Sequence, residues 1–286
     1  MLGYHNTAMC SKGGHAHGSS QNGCRTNAHA KLVHQGALLQ AKIDPSKSKR
    51  PPVNQCRPQS RAKRGPVRRV WSRKSRANFI KTVLKLTPSF SQGTNYSITL
   101  TYREREPRES KRDLHTFRMR LQRYLKDNPW FALWKMEFQQ RGTVHYHIVL
   151  NVQNAVPVSE MRTFVSNAWS EIVQDPQLAI TGTRVDEIAL ESVQQVTFYL
   201  VGHATTHRKD YQNSALHADW VGRWFGVWNP PEVPAVEVSI TEADLHRLKR
   251  TLVKIRPISP CAKYSYWVAC DESLFNRIVG YLMDID

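Results

Sequence analysis

Two histidines, His145 and His147, stand one residue apart at the head of the apolar run HYHIVLNV. Residues i and i+2 of a β-strand point to the same face, so both imidazoles would project together. Upstream, residues 140–142 read Gln-Arg-Gly and suit a three-residue hairpin turn whose glycine adopts the left-handed conformation. That turn would place Glu137 directly opposite His145, with Cβ atoms about 5 Å apart. We therefore expect a carboxylate and two imidazoles on one strand face.

This donor set suits Mn²⁺ or Zn²⁺ and, less well, Mg²⁺. Two alternatives remain open from the residues alone. A two-residue turn would pair Glu137 with Tyr146 instead of His145, and the histidines could be polar residues of a solvent-facing strand. A second His-x-His, at residues 15–17, lies in a Gly-rich segment without a surrounding strand pattern. We do not expect that pair to bind metal.

A second group of reactive side chains falls in SVQQVTFYLVGHAT, residues 192–205, which is predicted to be a helix. Helical spacing places its apolar residues in one stripe and brings Gln195, Tyr199 and His203 together on another face. A tyrosine hydroxyl can attack phosphorus and form a covalent intermediate. The alternative is an amphipathic tyrosine at the edge of the core.

The elements that would position these residues follow from the periodicity of apolar residues. Strands are predicted at residues 95–102, 130–138, 144–152 and 182–190, helices at 72–86, 110–127, 159–173 and 192–205, and a last strand–helix pair at 235–253. The helix at 72–86 is expected to end before Pro88, and no element is assigned to residues 261–286. The order predicts an α+β (mixed α/β) fold, with a central antiparallel sheet and helices packed on one face.

Charge divides the chain unevenly, because residues 1–76 carry 16 Lys or Arg and a single acid, Asp44. We expect three parts: a basic, disordered N-terminal arm at residues 1–70, a catalytic domain at 71–230 and a C-terminal accessory segment at 231–286. A basic arm of this kind usually contacts nucleic acid phosphates, although it could also be a solvated tail. Five irregularly spaced cysteines and the lack of a long apolar run favour a cytoplasmic protein without membrane association.

The motifs together resemble the HUH endonuclease superfamily, specifically the rolling-circle replication initiators of bacterial plasmids and phages. Residues 97–102, 137–150 and 198–209 resemble the three family motifs in order. The aromatic stretch VGRWFGVWN resembles a segment that follows the third motif. The resemblance covers roughly residues 95–230. Two positions depart from the family pattern: Gly202 stands where a lysine is common, and His203 stands where two-tyrosine members place the second tyrosine.

The resemblance implies an HUH endonuclease fold and site-specific nicking of single-stranded or hairpin origin DNA. His145, His147 and Glu137 would hold one divalent ion, Mg²⁺ or Mn²⁺, and Tyr199 would form a 5′-phosphotyrosine while releasing a 3′-OH that primes synthesis. The chain has no G-x-x-x-x-G-K-[ST] motif, so a host helicase and a host DNA polymerase would be needed.

Basic residues near the motifs could contact the DNA. We expect such contacts from Arg103, Arg118 and Lys209, with His203 as a possible auxiliary residue, although the arginines could equally form a solvated face. The tryptophans at residues 220–228 could stack bases, but filling a core is the more common role. Two other functions fit the motifs: an HUH transposase or relaxase, and an origin-binding repressor with a decayed site.

Overall fold

The computed structural model describes residues 30–43, 71–104, 107–190, 195, 223–255 and 265–283. These residues form two antiparallel sheets with helices packed against them, which confirms the predicted α+β class. The larger sheet has five strands in the order β6-β3-β5-β4-β7. Its strands are β3 (Thr94–Thr101), β4 (Trp130–Phe138), β5 (Val144–Val152), β6 (Thr183–Ile188) and β7 (Phe225–Trp228).

The central hairpin of this sheet joins β4 to β5 and has the predicted register. Gly142 has a φ of 84°, the left-handed conformation that a three-residue turn requires. The amide of Gly142 donates to the carbonyl of Gln139, and the amide of Gln139 donates to the carbonyl of Thr143. Glu137 consequently lies opposite His145, so the alternative pairing with Tyr146 is excluded.

One face of the sheet is covered by α2 (Pro107–Tyr124) and α3 (Val158–Val173), and a short helix, α4 (Leu178–Thr181), follows α3. Phe117 of α2 and Trp169 of α3 meet edge to face, and Trp169 also packs against Tyr102 at the end of β3. Tyr146 points into this layer, fully buried, and its hydroxyl is hydrogen-bonded to Ser110 Oγ at 2.9 Å. The residue between the two histidines therefore anchors β5 to the core.

The opposite face is partly covered by α1 (Arg73–Phe90), so the expectation that helices pack on one face alone is wrong. Phe79 of α1 packs against Phe225 of β7 with ring centroids 5.3 Å apart, and Phe90 packs against Phe131 of β4 at 4.9 Å. Burial of these aromatic rings fixes α1 along β4. Phe225 pairs with Lys135, which lies opposite His147, so the α1 contacts reach the border of the surface that carries the two histidines.

A second sheet contradicts the prediction that residues 1–70 form a disordered arm throughout. Residues 30–43 form a hairpin of β1 (Ala30–Gln35) and β2 (Leu38–Ile43), which pairs with C-terminal strands in the order β8-β1-β2-β9. The other elements of this unit are β8 (Ala235–Ile240), α5 (Glu242–Ile255), β9 (Ser265–Ala269) and α6 (Glu272–Met283). Alternating apolar residues of both ends of the chain share one core, which supplies the energy for ordering the hairpin.

The second sheet is hydrogen-bonded to α1 at a carbonyl that a proline inside the helix leaves without an intrahelical donor. The predicted end of this helix before Pro88 is wrong, because the helix continues to Phe90. Pro88 has no N–H to donate to the carbonyl of Leu84, four residues earlier. The amide of Ala37, in the β1–β2 turn, donates to that carbonyl instead, at 2.8 Å. Gly36 lies so close to the carbonyl of Lys85 that a Cβ at this position would collide with it.

No helix within the described ranges is long and apolar enough to cross a membrane.

Candidate functional site

Three strands contribute polar side chains to one end of the five-stranded sheet. In β3, alternation turns Ser97, Thr99 and Thr101 to the face that carries His145 and His147, because Thr99 pairs with His147 and Thr101 with His145. β4 contributes Glu137 and Lys135, which lie opposite His145 and His147. The alternating hydroxyl residues of β3 and the His-x-His of β5 thus form one polar surface.

The two histidines and Glu137 are neighbours on this surface. The imidazole rings of His145 and His147 have centroids 4.5 Å apart and are inclined at 77°. Nε2 of His147 lies 3.8 Å from Oε2 of Glu137, whose side chain is only 6% exposed. A hydrogen bond of 2.9 Å joins Nδ1 of His145 to Oγ1 of Thr101. The structure therefore brings together the three residues that the sequence predicts as metal ligands.

Lys135 is a member of this cluster that sequence reasoning missed. Its ammonium binds Oε1 of Glu137, and both side chains are buried. The signal was available in the sequence, because Lys135 precedes Glu137 by two residues and must share its face in a strand. Lys135 and Glu137 are the two charged residues of an otherwise apolar strand, WFALWKMEF, which marks the same position.

The donor types suit a divalent ion, since two imidazoles and one carboxylate lie at adjacent positions of one face. Oε2 of Glu137 faces the histidines while Oε1 faces Lys135, so one carboxylate oxygen is directed toward the imidazoles. Within the described part of the chain, no group of three His, Cys, Asp or Glu side chains is assembled closely enough to count as a finished metal site. The residues fit a divalent ion in donor type and in their placement on one strand face.

A second lysine, Lys111, lies on the opposite side of β5 from the histidines. Lys111 of α2 places its ammonium 4.6 Å from the centre of the Trp134 ring and 5.5 Å from that of Tyr146. The same ammonium donates to the backbone carbonyl of Arg223 at 2.6 Å. Desolvation by burial lowers the pKa of Lys111 to about 7. These contacts tie α2, β5 and the start of β7 together behind the site.

The two arginines predicted to contact DNA occupy different surroundings. Arg103 follows β3 at the end of the sheet that holds the histidines, is 57% exposed, and lies 3.6 Å from Asp175. Arg118 belongs to α2, which covers the other face, and its guanidinium donates to Asn229 at 3.4 Å. Arg103 is thus close in the fold to the candidate ligands, and Arg118 is not.

The remaining predicted residues, Tyr199, His203 and Lys209, lie outside the described residues, as does most of the predicted helix at 192–205. Their roles stay predictions. Of the tryptophans that could have stacked bases, Trp224 and Trp228 are each 6% exposed and belong to the core of the larger sheet. The core-filling interpretation is confirmed for these two.

Part of the chain matches the sequence model of a known protein family. The model of the family described as replication-associated protein ORF2 matches residues 95–215, which include the polar end of the sheet. No curated protein matches the chain.

Two solved structures are similar at low levels. The hypothetical protein ORF119 from Sulfolobus islandicus rod-shaped virus 1 is 19% identical, with 43% of this chain and 91% of that chain covered and a TM-score of 0.28. The N-terminal nuclease domain of non-structural protein 1 from minute virus of mice is 9% identical, with 55% and 78% covered and a TM-score of 0.23. That domain is described as having Zn²⁺ coordination in its active-site pocket and as recognising DNA at the origin of replication. Both TM-scores are too low for a shared fold to be inferred from them.

Proposed function

Because residues 95–215 match the model of the replication-associated protein ORF2 family, we propose that this protein is a rolling-circle replication initiator that nicks and rejoins single-stranded origin DNA. The observation that carries the proposal is the grouping of His145, His147 and Glu137 on one strand face inside the matched segment. A replication protein with this donor set at the end of a sheet has the groups needed to bind a phosphodiester through a divalent ion.

The chemistry assigns a separate role to each residue. His145, His147 and Glu137 would hold the ion, Mg²⁺ or Mn²⁺, which when bound polarises the scissile phosphate and offsets the charge on its oxygens. The Tyr199 hydroxyl would give up its proton and attack phosphorus, forming a P–O bond to tyrosine while the P–O3′ bond breaks. The leaving oxygen takes up a proton and becomes the 3′-OH that primes synthesis.

Rejoining reverses these bonds. A 3′-OH attacks the phosphotyrosine, the P–O bond to Tyr199 breaks, and a phosphodiester forms without any nucleotide cofactor. Thr101 would hold the ring of His145, and exposed Arg103 would attract phosphates to this end of the sheet. The partners would be hairpin or single-stranded origin DNA, a host helicase and a host polymerase.

An end-labelled origin strand tests the proposal directly. Wild-type protein with Mn²⁺ is expected to form a covalent protein–DNA adduct that survives denaturing electrophoresis, and chelation of the ion is expected to abolish it. The double variant His145→Ala/His147→Ala should form no adduct, whereas His115→Ala, an exposed residue of α2, should behave as wild type. Failure of the wild type on every origin-like strand, or equal adduct formation by the double variant, would contradict the proposal.

A further inference from the structure

Lys135 is a buried cation at the centre of the candidate site. Its side chain is 7% exposed, and that of Glu137 is 6% exposed. The strand register places Lys135 directly opposite His147, just as Glu137 lies opposite His145. Two residues of β4 and two of β5 therefore form a square of side chains on one face.

Within this square the two oxygens of Glu137 have different partners. Oε1 accepts a hydrogen bond from the Lys135 ammonium, whereas Oε2 lies 3.8 Å from Nε2 of His147. The bond to Lys135 fixes the plane and direction of the carboxylate, because its two oxygens are equivalent and one of them must face the ammonium. The contact with Lys135 therefore leaves one oxygen of Glu137 turned toward His147.

The lysine is itself held by aromatic neighbours. Its Nζ lies 5.4 Å from the centre of the Trp71 ring, a distance at which a cation is attracted to the ring face. Trp71 packs against Phe79, Trp224 and Phe225, with ring centroids 5.9 to 6.3 Å away. Trp71 lies two residues before the start of α1, so packing of this helix fixes the position of the aromatic ring that Lys135 contacts.

We propose that Lys135 is a positioning residue that presents Glu137 to the ion through Oε2 alone. This inference rests on the proposed function, because it requires an ion bound by Glu137 and the histidines. Partners that orient a metal ligand typically change metal affinity or activity about 10- to 100-fold when they are removed.

Charge repulsion opposes this effect, since an ammonium near a divalent ion weakens its binding. The direction in which the affinity for the ion changes when the Lys135 ammonium is removed therefore distinguishes orientation of Glu137 from charge repulsion. If orientation dominates, removing the ammonium weakens binding of the ion. If repulsion dominates, removal strengthens it.

The experiment compares Lys135→Met with wild type in the full-length chain, with Lys126→Met, an exposed lysine, as the matched control. Calorimetric titration with Mn²⁺ is expected to give a Kd about 10- to 100-fold higher for Lys135→Met and unchanged for Lys126→Met. Adduct formation by Lys135→Met should fall at low Mn²⁺ and recover as Mn²⁺ is raised. This rescue separates positioning from a purely structural role, which added Mn²⁺ would not restore.

Lys135→Gln provides a second test if the methionine variant does not fold, because its shorter, uncharged side chain retains polarity. The Kd of Lys135→Gln for Mn²⁺ is also expected to be higher than that of the wild type. An unchanged or lower Kd in either folded variant, or a loss of adduct that added Mn²⁺ cannot rescue, would overturn the role of Lys135. If the wild type still nicks DNA, that outcome leaves the proposed function intact. Absence of Mn²⁺ binding and of adduct in the wild type would overturn both.

Discussion

The orientations of side chains at the candidate site are fixed by hydrogen bonds to neighbouring side chains. His145 is bonded to Thr101, Glu137 is bonded to Lys135, and Tyr146 is bonded on the opposite face to Ser110. The candidate ligands and their common face could be predicted from sequence, because strand alternation has a period of two. Lys135 was missed because a lysine in a strand is usually exposed, although its spacing of two residues from Glu137 already places both side chains on one face.

Replacing the hydroxyl that holds His145 is expected to weaken the site without unfolding it. Thr101→Val keeps the shape of the side chain but removes the hydrogen bond to Nδ1, so the imidazole loses a constraint on its orientation. We expect the Mn²⁺ Kd to rise about 10-fold, in calorimetric titration of the variant. Thr163→Val, at an exposed threonine of α3, is the control. Equal Kd values for the two variants would show that Thr101 does not orient His145.

At the scale of elements, the β4–β5 hairpin determines which residues meet. Its register follows from the turn at residues 139–142 and could be predicted, because a left-handed glycine at the end of a three-residue loop fixes the pairing. The extension of α1 past Pro88 could not be predicted. The acceptor left by the proline is occupied by Ala37, which is 47 positions away from Leu84 in the chain, so no local pattern announces that bond.

The left-handed conformation of Gly142 makes the turn sensitive to substitution. Gly142→Ala places a Cβ on a residue with φ of 84°, which costs about 1–2 kcal/mol for a non-glycine residue. Denaturant unfolding is expected to show a decrease of this size in the free energy of unfolding. Gln140→Ala, an exposed residue of the same turn, should change it little. Equal stability of Gly142→Ala and wild type would mean that the turn tolerates another conformation, and that the register does not depend on this glycine.

At the scale of the whole molecule, the second sheet is built from the two ends of the chain. β1 and β2 are its inner strands, and the described residues of β8 and β9 form its edges, each paired with one of them. The sequence predicts a basic arm at residues 30–43, because the charge of the surrounding residues dominates that region. Pairing between strands about 200 residues apart leaves no local trace, which explains why the pairing of β1 with β8 could not be predicted.

Two truncations test this arrangement. Removal of residues 1–43 takes away β1 and β2 and the apolar residues Ala30, Leu32, Leu39 and Ala41 of the shared core. β8 and β9 then lose their partners, so we expect a lower Tm and faster proteolytic cleavage within residues 235–283. Removal of residues 1–29 retains both strands and should leave Tm and cleavage close to wild type. Equal protection in the two truncated proteins would contradict a sheet that joins both ends of the chain.

Locating the attachment site of the DNA tests the proposed nickase and its covalent tyrosine. Wild-type protein is incubated with Mn²⁺ and origin single strand, digested, and searched by mass spectrometry for the peptide that carries the nucleotide. We expect a phosphodiester bond on Tyr199 and no adduct from Tyr199→Phe. Attachment at another tyrosine, or an adduct that persists in Tyr199→Phe, would contradict the assigned nucleophile, and the absence of any adduct would contradict the nickase itself.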